Sequence, residues 1–162
     1  MNEKHEEKDH AAVKIPPPAV GILTIIIGYV LGRFVPIMDA FLLTEPARYW
    51  VGGTIVLVAG IALGWWPIRL FRETKQDIKP WTATPEIVIR GPYGFTRNPM
   101  YLMMLLVCIG FSIILDEVWI LLLTPVCASV LYLVAIRHEE VYLDRKFGES
   151  YLAYKRRVRR WI

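Results

Sequence analysis

The chain has 162 residues, of which 55% are hydrophobic and 21% charged, with a formal net charge of +4 and a mean hydropathy of +0.39. Soluble domains average about 45–50% apolar residues. The excess is gathered into nearly uncharged runs, which excludes a disordered chain, a disulfide scaffold and an ordinary water-soluble enzyme. An all-α polytopic membrane protein is expected, a single membrane domain over residues 15–162.

Met1–Lys14 is mixed in charge and lacks the ordered n-region, short apolar region and small-residue site of a cleavable signal peptide. It reads as a solvated, mobile tail. His5 and His10 lie in it, and no metal site is expected. A helix needs about 20 mainly apolar residues to cross a bilayer core of roughly 30 Å. Four spans meet that requirement, at about 15–34, 49–68, 98–115 and 118–136. Gly28/Gly32 and Gly60/Gly64 place two glycines on one face of the first two spans, a pattern that permits close packing. Pro67 and Pro125 are expected to kink spans two and four. Cys108 and Cys127 lie inside spans three and four as buried thiols.

Only Asp116 and Glu117 separate the last two spans, so these form a tight antiparallel hairpin. Charge placement tests the count independently. With four spans, the two ends of the chain and the loop from Arg69 to Arg97 share one side, and every Lys and Arg except Arg33 and Arg48 falls there. This bias puts both termini and the long loop in the cytoplasm. It also accounts for the net charge without a nucleic-acid partner. A prokaryotic plasma membrane is the expected location.

Two cytoplasmic segments carry the chemistry. In the first, Gly91-Pro92-Tyr93-Gly94 signals a turn, and Arg97-Asn98-Pro99 opens the third span with a favoured N-cap at Asn98 and a favoured first residue at Pro99. Arg97 is either one more positive-inside charge or part of an anion site, because a cation beside a helix N-terminus is otherwise disfavoured. In the second segment the fourth span runs on through Arg137-His138-Glu139-Glu140 to Phe147, and Gly148 ends it. Glu139 and Glu140 are either solvated surface or the other wall of a site. The short hairpin brings these helix ends together, so Arg97, Asn98 and Tyr101 face His138, Glu139 and Glu140 in a corner rimmed by Tyr93, Phe95, Tyr101 and Tyr142. Such a corner suits a zwitterionic ligand. Beyond it, Tyr151, Tyr154, Val158 and Trp161 fall at helical spacing among Lys155, Arg156, Arg157, Arg159 and Arg160. This pattern predicts a C-terminal basic amphipathic helix on anionic lipid headgroups.

The run GPYGFTRNPMYL (91–102), the pair Glu139-Glu140 and the run FGESYLAYKRRVRRWI (147–162), in that order, resemble the integral-membrane methyltransferases typified by isoprenylcysteine carboxyl methyltransferase and phospholipid N-methyltransferases. The resemblance covers about Thr82 to Ile162. It implies S-adenosylmethionine as cofactor, S-adenosylhomocysteine as product, and a lipophilic or small membrane-permeable acceptor entering laterally from the bilayer. By position it implies cofactor roles for Val88, Tyr93, Arg97, Asn98, Pro99, Met100, Tyr101, Glu139 and Glu140. Arg97, His138, Glu139 and Glu140 are the candidates for catalysis, with no dedicated nucleophile in view. Asn98 stands where many members have histidine, and Gly94 where an arginine is usual. The alternative is a non-enzymatic membrane scaffold or partner subunit that keeps the family fold.

Overall fold

A computed structural model describes residues 15–37, 43–74 and 86–162. The tail Met1–Lys14, with its two histidines, lies outside the described residues, as do residues 75–85 of the long loop. Among the described residues the fold is all helical, with one isolated bridge between Thr96 and Arg159.

Helix α1 spans Pro17–Phe34 and begins on prolines whose fixed φ suits a first turn. Helix α2 runs Glu45–Glu73, α3 Pro99–Leu115 and α4 Val118–Phe147, followed by the shorter α5 at Glu149–Arg157. By length and apolar character α1, α2 and α4 are able to cross a membrane. With 17 residues, α3 is shorter and equally apolar. Helix α2 starts ahead of the expected boundary because Pro46 initiates it and Arg48 bonds back to Glu45 at 3.0 Å.

The expected hairpin is present. Asp116 takes the left-handed conformation at φ 52°. The Glu117 amide donates to the Ser112 carbonyl at 2.9 Å, and the Ser112 hydroxyl donates to the Glu117 carbonyl at 2.8 Å. Each acid of the turn meets an arginine of a neighbouring helix, Arg48 on Asp116 at 3.3 Å and Arg33 on Glu117 at 3.1 Å. Those two arginines, the exceptions to the charge bias, therefore sit at the turn end of the bundle. At the opposite end the start of α1, the end of α2, the start of α3 and the polar part of α4 converge.

Helix α3 packs on α1, α2 and α4, and α1 packs on α4. Ile120, Leu131, Ala135 and Ile136 of α4 are fully buried. Hydroxyls buried in the bundle bond to the preceding turn, Thr24 to the Val20 carbonyl and Thr124 to the Ile120 carbonyl, both at 2.9 Å. The outer faces are apolar as well: Ile22, Leu23 and Ile26 on α1, Leu57 and Val58 on α2, and Leu122 and Val126 on α4 are exposed. A soluble monomer does not present so continuous an apolar surface. A hydrocarbon solvent accepts it.

One of the four glycine expectations, Gly60, needs correction, and both prolines fall within helix. Pro67 follows a widened π-turn at Gly60–Trp65, where the Trp66 amide reaches back to the Ile61 carbonyl. Pro125 sits inside α4 among residues that stay helical, and the second π-turn lies further on at Tyr132–Ile136. Gly28 abuts the backbone of Ile120, as its spacing suggested, but Gly60 faces open space. Gly32 abuts Glu117 and Gly64 abuts Met103, and the backbones of α2 and α3 also approach closely at Gly52 and Gly110. A Cβ on Gly110 would lie 2.6 Å from Val56 Cγ2 and 2.9 Å from the Gly52 carbonyl oxygen.

Gly110→Val is therefore expected to destabilise the fold by about 1–3 kcal/mol through overpacking. Gly60→Ala, with room to spare on a helix, should be neutral or stabilising by about 0.5–1 kcal/mol. Thermal unfolding of the purified variants in detergent micelles measures both; equal behaviour would contradict the crossing.

Candidate functional site

At the convergent end lies a cleft of about 200 Å³ whose walls include Val88, Tyr93, Arg97, Asn98, Pro99, Met100, Tyr101, Glu139 and Glu140. The nine positions named from sequence thus share one cavity. His138 does not join them. Residues are about 100° apart on a helix, so a face that turns Glu139, Glu140 and Leu143 inward turns His138 outward, and it is exposed. Phe95 is likewise exposed, 52%, and outside the cleft, whereas Tyr142 lines it.

The motif loop is held from two sides. A 3₁₀ turn at Gly91–Gly94 rests on the end of α2. Gly91 has φ +62°, and a Cβ there would meet the Trp66 indole and Leu70, both at 3.0 Å. Tyr93 stacks on Phe71 with ring centroids 5.7 Å apart. The buried Tyr154 hydroxyl donates to the Tyr93 carbonyl at 2.8 Å. Burial, and then the Glu139 charge, push the Tyr93 phenol well above its ordinary range, so it stays protonated. A Cβ on Gly94 would meet nothing closer than the Ile89 carbonyl at 3.8 Å, so no backbone constraint demands glycine there.

On the other side the chain after α5 lies along the loop. The Arg97 amide donates to the Arg159 carbonyl at 3.0 Å, and the Arg160 carbonyl accepts from Thr96 Oγ1 at 3.1 Å and Asn98 Nδ2 at 3.0 Å. Asn98 does occupy the N-cap position, and its carbonyl accepts the Leu102 amide at 2.9 Å. Its side chain, however, makes no cap; it ties the loop to Arg160 instead. The predicted amphipathic helix is corrected in the same region. Helix α5 ends at Arg157, and Tyr151, Tyr154 and Val158 are buried against Ile87, Leu143 and Phe147. Its apolar stripe meets protein, and exposed cations remain at Arg156, Arg157 and Arg159.

Charge is arranged unevenly across the corner. Glu140 is gripped by Arg160, whose Nε and Nη2 donate to its two oxygens at 2.9 and 2.8 Å. Arg97 Nη1 lies 3.1 Å from the same carboxylate, and the Arg97 side chain is only 10% exposed. Its Nε and Nη1 nonetheless lack any hydrogen-bond partner. Buried donors are rarely left so. Glu139, past Ile136 and so beyond the apolar part of α4, accepts the Tyr101 hydroxyl. Burial, the largest effect, and the neighbouring Glu140 charge raise the Glu139 carboxyl to about 7, against the opposing pull of that hydrogen bond. The cleft therefore has in its walls a buried guanidinium with two donors that make no hydrogen bond, a carboxyl raised to about 7 and aromatic rings. These groups complement a ligand carrying both signs of charge.

Sequence reading missed Pro17, Phe71 and Met104 as lining residues, and Thr96 and Arg160 as supports. Pro17 and Met104 lie in segments read only as membrane spans, and Phe71 in the long loop, which the structure makes the end of α2. The tyrosines of α5 did carry a signal, their regular spacing, which was referred to lipid.

The family model described as "Phospholipid methyltransferase" matches residues 47–150. An uncharacterized protein of Haemophilus influenzae is 36% identical over 63 residues, 39% of this chain and 100% of that protein. No solved structure matches.

Tyr154→Phe removes a buried donor and leaves the Tyr93 carbonyl without it. The expected loss is about 1–3 kcal/mol of stability, read as a lowered unfolding midpoint in micelles, with faster proteolysis in the 86–97 segment. An unchanged midpoint would show that the loop does not depend on this bond.

Proposed function

The chain belongs to the phospholipid methyltransferase family, and from that premise we propose that it is an integral-membrane S-adenosylmethionine-dependent methyltransferase. On this reading all four long helices cross the bilayer, with both termini and the cleft on the cytoplasmic side. The acceptor is a lipophilic or small membrane-permeable molecule of the isoprenylcysteine carboxylate, phospholipid amine or thiol type. The observation that carries the reading is Arg97, a buried guanidinium with two unbonded donors in the wall of the same cleft as Glu139.

The residues present fit the cofactor. Arg97 and the start of α3 suit its carboxylate. Glu139 suits the ammonium or the ribose hydroxyls, and Tyr93 and Tyr101 offer faces and edges to its cationic and planar parts. When bound, S-adenosylmethionine supplies an electrophilic methyl group on a sulfonium, which in-line displacement transfers to the acceptor to leave S-adenosylhomocysteine. The chain's task is alignment and exclusion of water, which supply several kcal/mol without a covalent intermediate. Pro17, Met104 and Leu143 give the cleft apolar walls for an acceptor arriving from the bilayer. For a carboxylate or thiolate acceptor no base is needed. For an amine, Glu139, poised near neutrality, is the group to accept the proton; His138 faces away. The exposed cations of and after α5 suit anionic headgroups. A purely structural scaffold leaves the orphan donors of Arg97 unaccounted for.

Two outcomes test the reading by calorimetry on protein in micelles. Glu139→Ala and Tyr93→Ala should abolish S-adenosylhomocysteine binding while the protein stays folded; retained binding in both would refute the assignment. The pH dependence follows from the raised Glu139 carboxyl. Between about 4.5 and 7 the folded protein holds a proton that the unfolded chain has released, so this group's contribution to stability falls as pH rises through that window. Attraction for a cation runs the opposite way. Affinity should rise as pH increases towards 7, roughly tenfold per unit where protonation dominates, and Glu139→Gln should flatten the profile.

A further inference from the structure

We propose that Arg160 is a positioning residue that keeps Arg97 free to bind an anion. Glu140 lies between two guanidinium groups. Arg160 engages it as a fork, Nε and Nη2 each taking one oxygen at 2.9 and 2.8 Å. Arg97 stands 3.1 Å away on an oxygen already engaged, without the alignment of a hydrogen bond. A bidentate arginine–carboxylate pair is the strongest arrangement open to these groups, and Arg160 occupies it. Arg97 is left with a 3.1 Å ion pair to Glu140 and a side-chain contact with Tyr151, which help offset the cost of burying its charge, while its Nε and Nη1 make no hydrogen bond.

The position of Arg160 is fixed independently of its side chain. Its carbonyl accepts from Thr96 and Asn98, and the Arg159 carbonyl accepts the Arg97 amide. The strap that brings the fork to Glu140 is thus bonded to the residues on either side of Arg97 and to Arg97 itself. The Arg160 guanidinium also lies over the Tyr132 ring, 4.8 Å from its centroid, which restricts it further. Without the Arg160 fork, Glu140 has open oxygens beside Arg97, and the nearest unspent donors are those of Arg97. The guanidinium would close on Glu140 and cease to serve the cleft.

This inference rests on the cofactor reading only for its natural ligand, so the experiment uses two probes. S-adenosylhomocysteine and its decarboxylated counterpart differ in the anionic group alone. Sulfate probes the anion site without any nucleoside, through the thermal unfolding midpoint. Both are applied to the wild type, Arg160→Ala and Arg160→Ala/Glu140→Gln in micelles. The wild type should prefer the carboxylate-bearing compound by about tenfold or more. Arg160→Ala should lose that preference and its sulfate-dependent shift. The double variant, having no carboxylate to capture Arg97, should regain both relative to Arg160→Ala. General salting effects are common to the three proteins and cancel in the comparison. If Arg160→Ala does not fold, Arg160→Gln replaces it, retaining the stem and the strap's backbone bonds but not the charged fork.

Preserved preference and preserved sulfate shift in the Arg160 variant would overturn the proposal, as would a double variant no better than the single one. A wild type that shows the sulfate pattern but binds neither nucleoside compound would support the role of Arg160 and remove the methyltransferase reading. A wild type that binds both compounds equally and ignores sulfate would do the reverse.

Discussion

A turn of two residues leaves the helices on either side of it one course, which is to run back along each other. Asp116 and Glu117 thereby determine what happens at the far ends of α3 and α4, where Arg97 and the acidic pair Glu139-Glu140 are brought into one cleft. The turn is secured by its own hydrogen bonds to Ser112 and by Arg33 and Arg48 from the neighbouring helices. Helix α3, in contact with every other long helix, passes that order through the bundle. The site owes its geometry to a segment at the opposite end of the molecule.

Within the corner the two adjacent acids have different environments and therefore different properties. Glu140 is neutralised by Arg160 and approached by Arg97. Glu139, one position earlier on the helix, has a phenol for company, and desolvation raises its carboxyl to about 7. Pairs of titratable groups separated in this way are a common feature of sites that handle charge. Here the separation arises from helical geometry: one residue reaches the strap and the other the start of α3.

Much of this organisation was legible in the sequence. Long uncharged runs gave the helices, a two-residue gap gave the hairpin, and Gly148, at φ +50°, closes α4 where its residue type says it should. What was not legible shares one physical cause. Periodicity tells which residues share a helix face but not what covers it, so the stripe of Tyr151 and Tyr154 was referred to lipid when it meets protein. The same ambiguity hid the difference between Gly60, which faces open space, and Gly52, which touches Gly110. Asn98 fits a capping rule by type and position, yet a carbonyl more than sixty residues away takes its amide. Local rules are silent about partners that only the fold supplies.

That distance has its own meaning for assembly. The bonds joining Thr96 and Asn98 to Arg160 span 64 and 62 positions, whereas those of the helices span about four. Closing so large a loop is entropically costly until the intervening chain is already ordered. Contacts between the helices close loops as large, 84 positions between Arg33 and Glu117, but the helices also share broad apolar faces, while the strap is held by a few polar bonds. Conditions that loosen the molecule by degrees should therefore release the strap, and with it the support it gives Arg97, before they separate the helices.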